Sequence, residues 1–136
     1  DESLGSGSLV AQLRASAERL LDPALPSAVI AERGPLDFLA YLAAFDELGR
    51  SGTAAGLLRR EAPLAAEAMR KVDLLVLLGP EDIAVPEEED PELRDATAEA
   101  LLELADDEDL TGGARILDLS GAPAVRLAAL EAAVAG

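Results

Sequence analysis

The 136-residue chain contains neither cysteine nor histidine. Without cysteine it can form no disulfide bond and no thiolate metal site. Without histidine it lacks the commonest general base, the usual zinc and haem ligand, and every catalytic triad built on imidazole. Catalysis would have to use carboxylates, arginines, Tyr41, the single lysine Lys71 or a bound metal. A catalytic pair of carboxylates needs surroundings that shift the pKa of one away from that of the other. Most acids of this chain lie in runs or on polar helix faces, which would not produce such a shift. We therefore predict a protein that is not an enzyme and needs no cofactor.

Large aromatic and β-branched residues are also scarce. The chain has two Phe, one Tyr and no Trp, and Val, Ile and Thr together number 13, against 54 Ala and Leu. Ala and Leu favour helices, whereas the β-branched residues that suit pleated sheets are few. The composition predicts an all-α protein, a compact right-handed multi-helix domain of about seven helices whose core packs Leu against Ala.

Long hydrophobic runs are absent, and positive charge is outnumbered. The longest apolar run, VDLLVLLG (72–79), is far shorter than the ~18 residues of a membrane span. The net charge is −16, of which residues 69–136 carry −12 (17 acids and 5 bases). Such a field repels phosphate backbones and anionic lipids. We expect a cytoplasmic protein that binds neither nucleic acid nor membranes and whose partner is another protein with a basic surface.

Composition divides the chain into four segments of one domain. Residues 1–7 are rich in Gly and Ser and are expected to form a flexible lead-in. An N-terminal helical half is predicted over 8–80 and a second helical half over 91–136. Between them, 81–90 carries six acids and one proline. We interpret this segment as a solvated acidic linker, with a docking strip for a basic partner as the alternative.

The first half contains three clear helical patterns. Apolar spacing predicts a helix over 8–21, on which Arg14 and Glu18 could pair at i,i+4. A short helix over 26–33 would begin at Pro26 and stop before Gly34. The segment 34–52 predicts a helix that starts at Pro35 and is capped by Gly49. One face of this helix holds the chain's whole aromatic complement, which we assign to the core, a ligand groove being the alternative: Phe38, Tyr41 and Phe45, with Leu42 and Leu48.

Two more helices are predicted before the acidic segment, over 53–61 and 62–79. The end of the second, residues 72–78, is apolar on all sides and could equally be a buried strand, because periodicity does not separate the two over so short a run. Helix is preferred because no convincing strand partner is evident elsewhere in the chain. Gly79-Pro80 is expected to terminate it.

The second half repeats itself. Pro91 and Pro123 are predicted to open helices, and a 32-residue shift lays PELRDATAEAL (91–101) over PAVRLAALEAA (123–133), so that Arg94 corresponds to Arg126. A period near 30 is typical of stacked helical pairs. The pattern resembles the short HEAT repeat of the phycobilin-lyase type, and this resemblance covers about 90–136. The apolar residues Ile116, Leu117 and Leu119 predict a shorter helix over about 112–120, and the resemblance implies HEAT-like pairing at the C-terminal end.

The segment ADDEDLTGGARILD (105–118) resembles the calcium loop of an EF-hand. Asp107, Asp109, Thr111 and Asp118 occupy ligand positions 1, 3, 5 and 12 of that loop, with Gly112 at position 6. The supporting chemistry is missing, because Ala114 replaces the apolar anchor at position 8, Arg115 places a cation at position 9, and position 12 lacks the longer Glu. We interpret the segment as an acidic turn between helices, with a calcium loop as the alternative.

These features favour a non-catalytic protein-interaction module, an adaptor or assembly domain with an acidic surface. One alternative is an acidic inhibitor or antitoxin-like protein that occupies a basic site on its partner. Others are a calcium-responsive protein that uses 107–118 and a small-molecule carrier that uses the aromatic face. The residues proposed to contact the partner are Arg94, Arg126 and the strip Glu87, Glu88, Glu89 and Asp90; for the two arginines, a hydrogen bond to a neighbouring acid or carbonyl is the alternative.

Overall fold

The structure, a computed structural model, describes residues 6–26, 29–30, 34–50, 52–78 and 91–135. Helices take up 69% of these residues, which confirms a mostly helical chain. Six helices and two short strands follow one another in the described part of the chain: α1 (Ser6–Leu21), α2 (Pro35–Glu47), α3 (Ala54–Met69), β1 (Leu74–Leu78), α4 (Pro91–Ala105), α5 (Glu108–Thr111), β2 (Arg115–Leu119) and α6 (Pro123–Ala135).

Helices α1 and α2 agree with the predicted patterns. Helix α1 begins two residues earlier than expected, at Ser6, and the Asp22 side chain that follows it accepts a hydrogen bond from the Ala24 N–H at 2.9 Å, which turns the chain away. Helix α2 starts at Pro35, where the missing proline N–H would have no partner in any case. Gly49, with a φ of 67°, ends it in the left-handed conformation that glycine adopts without strain.

Two helix predictions of the first half need correction. The predicted helices over 53–61 and 62–79 are replaced by the single helix α3, which continues through Pro63 and ends at Met69. An internal proline removes one helical hydrogen bond, and burial of Glu61 and Ala65 on either side anchors the helix across it. The predicted helix over 26–33 falls partly outside the described residues; the described Val29 and Ile30 are not helical.

Two segments that were predicted to be helical are strands. Residues 74–78 form β1 and residues 115–119 form β2, and the two pair in parallel with Leu74 opposite Arg115 and Leu78 opposite Leu119. Parallel strands need a long crossover connection, which here contains α4 and α5. The predicted helix over 112–120 is therefore wrong. So is the preference for helix over 72–78, because the missing strand partner lies 41 residues further along the chain.

Residues from both halves of the chain share the main hydrophobic core. Helix α2 packs against α1, α3 and α4. The core joins Leu13, Leu39 and Leu42 of the first half to Leu93 and Leu110 of the second. Helix α2 is therefore the central element, and its aromatic face is part of this core: Phe38 and Phe45 are buried and Tyr41 packs against the cluster. This location agrees with the core interpretation of the aromatic stripe.

Helix α6 differs from the other long helices. None of its 13 residues is buried, although it contains only two charged residues, Arg126 and Glu131. Its packing partner among the described elements is β2. The turn before it uses Gly121 at a φ of 92°, and the Arg115 guanidinium donates to the Ala133 carbonyl at 3.4 Å, which ties the end of the helix to the strand. Helix α6 therefore contacts the sheet through β2 and leaves most of its own surface open.

Candidate interaction surface

An apolar stripe on α6 is the most distinctive exposed feature of the described residues. Leu127, Leu130 and Val134 follow one another at helical spacing i, i+3 and i+7, which places them on one side of the helix. Leu127 is 56% exposed and Val134 is 68% exposed, while Leu130 is half-buried. We call these three residues the α6 surface. Val125 of α6 and Ile116 of β2 are further exposed apolar side chains on the same pair of elements.

Exposed apolar side chains in isolation are ordinary, but a run of them on one helix is not. In a parallel sheet both faces are normally covered, and the strands read as continuous apolar runs. Strand β1, LLVLL, fits that description. The described residues place β1 and β2 in a sheet of two strands only. Among the described residues, the sheet and α6 are thus less covered than their apolar sequences would allow.

The two arginines proposed to contact a partner lie on elements with different packing partners. Arg94 is on α4, which packs against α2, and Arg126 is half-buried on α6, which packs against β2. The Arg94 guanidinium contacts the neighbouring Asp95 carboxylate at 3.4 Å, as the hydrogen-bond alternative expected. Its Nε is buried and has no hydrogen-bond partner among the described residues. The strip Glu87, Glu88, Glu89 and Asp90 lies outside the described residues.

Both helices of the 32-residue repeat begin at the corresponding prolines, Pro91 and Pro123. Between them, however, the structure has the one-turn helix α5 and the strand β2. The HEAT-like pairing of these helices stays a prediction.

The residues of the candidate calcium loop serve other elements. The Asp107 side chain accepts a hydrogen bond from the Asp109 N–H at 3.0 Å and so caps α5, and Gly112 ends that helix at a φ of 63°. Asp118 belongs to β2, where it pairs with Leu77. In the described part of the chain, no three acidic residues come together in a group that could hold a metal ion. The segment is a helical turn followed by a strand.

This arrangement predicts a capping role for Asp107. Asp107→Ala should lower the free energy of unfolding by about 0.5–1 kcal/mol, because the N–H groups of α5 lose their side-chain acceptor. Asp106→Ala, a change of the exposed neighbour, is the control and should have little effect. Thermal unfolding measured with and without millimolar calcium completes the test. A calcium-dependent rise in Tm that disappears in Asp107→Ala would show that the segment is a calcium site after all.

An ion pair with a buried carboxylate is a further feature that the sequence did not predict. The Arg14 guanidinium of α1 donates through Nε and Nη2 to the two carboxylate oxygens of Glu61 on α3, at 2.9 and 2.8 Å. Arg60 donates a further bond to Glu61 at 3.0 Å. The predicted partner of Arg14 was Glu18, one turn away on its own helix. The structure instead uses a residue 47 positions distant.

The Glu61 side chain is only 4% exposed, whereas that of Arg14 is 50% exposed. The hydrogen bonds from Arg14 hold the pKa of the Glu61 carboxyl below its ordinary value against the opposing effect of burial, and the bond from Arg60 adds to the lowering. Hydrogen bonding to Glu61 likewise raises the pKa of Arg14. Because both oxygens of the buried Glu61 carboxylate accept hydrogen bonds from Arg14, we assign this ion pair to the join between α1 and α3.

Comparison with known proteins adds no relative: no protein family, no curated protein and no solved structure matches the chain. None of the described helices combines the length and the apolar character that crossing a membrane requires.

Proposed function

We propose that the chain is a non-catalytic protein-interaction module, an adaptor or assembly domain, which binds its partner through the α6 surface. The observation that supports this proposal is that α6, an apolar helix, has no buried residue and leaves Leu127 and Val134 more than half exposed. Burying side chains of this kind contributes roughly 25 cal/mol for each Å² removed from water. A helix face of this type is a common docking element.

The chemistry of the partner follows from the charge of the chain. Helix α6 itself carries one arginine and one glutamate and is neutral, so its direct contact is apolar. The rest of the molecule is strongly acidic: residues 91–111, which contain α4 and α5, carry eight acids and one base. Electrostatic complementarity across an interface favours encounter with oppositely charged surfaces. The proposed partner therefore has an apolar patch bordered by basic residues.

The test is affinity capture from a lysate of the source organism with three immobilised baits. Wild type and Leu102→Ser, a change of an exposed residue on α4, should capture the same protein. The double variant Leu127→Ser/Val134→Ser should lose it, because its apolar stripe is interrupted while its buried core is unchanged. Equal capture by the double variant and by wild type would contradict docking through α6.

A salt series separates this proposal from the acidic-inhibitor alternative. Binding dominated by an apolar face should lose only a small part of its affinity between low and high salt, since screening acts on the surrounding charges and not on the apolar contact. An inhibitor that occupies a basic site through its acids should lose most of its affinity at high salt, and the α6 double variant should bind as wild type does.

A further inference from the structure

Within the described part of the chain, the outer edge of β1 presents backbone groups without a partner strand. The Asp73 carbonyl accepts a hydrogen bond from the Arg115 N–H of β2 at 2.9 Å, so Asp73 directs its backbone groups toward β2. Successive residues of a strand direct these groups to opposite edges. Leu75 and Leu77 therefore direct their backbone groups toward β2 as well. The backbone N–H and C=O groups of the alternate residues, Leu74, Val76 and Leu78, point to the other edge, where no described strand lies.

Strand β1 also has a sequence that reads the same in both directions, Leu-Leu-Val-Leu-Leu. In an antiparallel pairing of two copies with Val76 opposite Val76, Leu74 of each copy lies opposite Leu78 of the other. Each of these pairs can exchange two backbone hydrogen bonds, about six in all. A two-fold axis at Val76 thus pairs the outward backbone groups of both strands and places Leu opposite Leu and Val opposite Val.

No charged side chain within β1 opposes this pairing. Strand β1 carries no charged residue, although the chain has a net charge of −16. Because its sequence is symmetric from end to end, β1 can pair with a copy of itself. Edge strands of monomeric proteins usually carry charges, prolines or bulges that prevent such pairing. Strand β2, with Arg115 and Asp118, has charges of this kind, whereas β1 has none of these features. The open β1 edge is therefore the one suited to accept another strand.

We infer that a second copy of this chain adds to the sheet at the outer edge of β1, in antiparallel orientation about a two-fold axis at Val76. The result is a four-stranded sheet in the order β2-β1-β1-β2. This inference concerns β1 and does not depend on the α6 surface. Because the pairing is formed by two five-residue strands, we expect a dimer that dissociates on dilution.

The absence of cysteine makes disulfide trapping a clean test. Val76→Cys introduces the only thiol of the chain, and two-fold pairing would place it opposite its own copy, within the separation that a disulfide spans. Under mild oxidation, Val76→Cys should migrate at twice the 14.0 kDa mass of the chain. Leu127→Cys on α6 is the matched control and should stay monomeric. Cross-linking of Leu127→Cys without that of Val76→Cys would overturn the proposal in favour of an α6 dimer.

A charge exchange tests the same axis without covalent chemistry. Val76→Lys and Val76→Glu each place like charges opposite one another and should raise the dimer dissociation constant roughly two- to fivefold. An equimolar mixture of the two should restore the dimer, measured by sedimentation. Circular dichroism of each variant verifies that the fold is kept. A wild-type chain that sediments as a monomer at the highest attainable concentration, or a mixture that stays monomeric beside a dimeric wild type, overturns the inference.

Discussion

Leu39→Ala is expected to lower the free energy of unfolding by about 2–5 kcal/mol, the range observed for truncation of a buried leucine. Leu39 is fully buried on α2, the helix that packs against α1, α3 and α4. Truncation removes the apolar contacts of Leu39 and leaves a cavity between the helices. Because neighbouring leucines hold these helices in place, they cannot move far enough to fill it. A domain of ordinary stability, about 5–15 kcal/mol, would lose a large part of its margin.

Chemical denaturation followed by circular dichroism measures this effect. Leu102→Ala, the same chemical change at a 52% exposed position of α4, is the control and should shift stability by no more than about 0.5 kcal/mol. Similar losses in the two variants would contradict a core centred on α2. An unchanged m-value in both would show that the difference lies in stability and not in the extent of unfolding.

Glu61→Gln is the second change with a large expected effect. It keeps the shape of a buried side chain but removes the charge that Arg14 and Arg60 contact, and we expect a loss of roughly 1–2 kcal/mol, since hydrogen bonds to charged groups are stronger than neutral ones. Glu67→Gln, an exposed change on the same helix, should be nearly neutral. Equal effects of the two changes would show that the ion pair contributes nothing.

The pH dependence of the same pair has a defined sign. The pKa of Glu61 is lowered in the folded state from an ordinary value of 4.5, chiefly by the hydrogen bonds from Arg14. Its contribution to stability is therefore present above the unfolded pKa and is lost as pH falls through the folded pKa. The stability advantage of wild type over Glu61→Gln should shrink as pH falls from about 5 and should vanish below the folded pKa of Glu61. An advantage that does not shrink with falling pH would contradict the assignment.

Local signals in the sequence predicted a good part of the helical framework. Pro35, Pro91 and Pro123 open α2, α4 and α6 as expected, because proline suits a first helical turn. The aromatic stripe of α2 was assigned to the core from its spacing. In these cases the determining interactions lie within one or two turns of the same helix, so a single stretch of sequence contains them.

Non-local interactions account for what the sequence did not predict. Strand β1 is an apolar run without periodicity, and only its pairing with Arg115–Leu119 makes it a strand. Likewise, the Arg14–Glu61 pair joins helices whose contact no local pattern encodes. The exposure of α6 was not predicted either, because the apolar spacing of a helix does not reveal which element the helix packs against. The apolar residues Leu117 and Leu119, separated by the polar Asp118, were the one available signal for β2.

Hydrogen–deuterium exchange of the chain with its captured partner tests docking through α6 most directly. Backbone amides of α6 and β2 should exchange more slowly in the complex than in the free chain, because an occupied apolar face excludes water and restrains local opening. Amides of α1 and α3 should be unchanged. Protection confined to α1 and α3, with α6 exchanging as in the free chain, would contradict the proposed interaction surface.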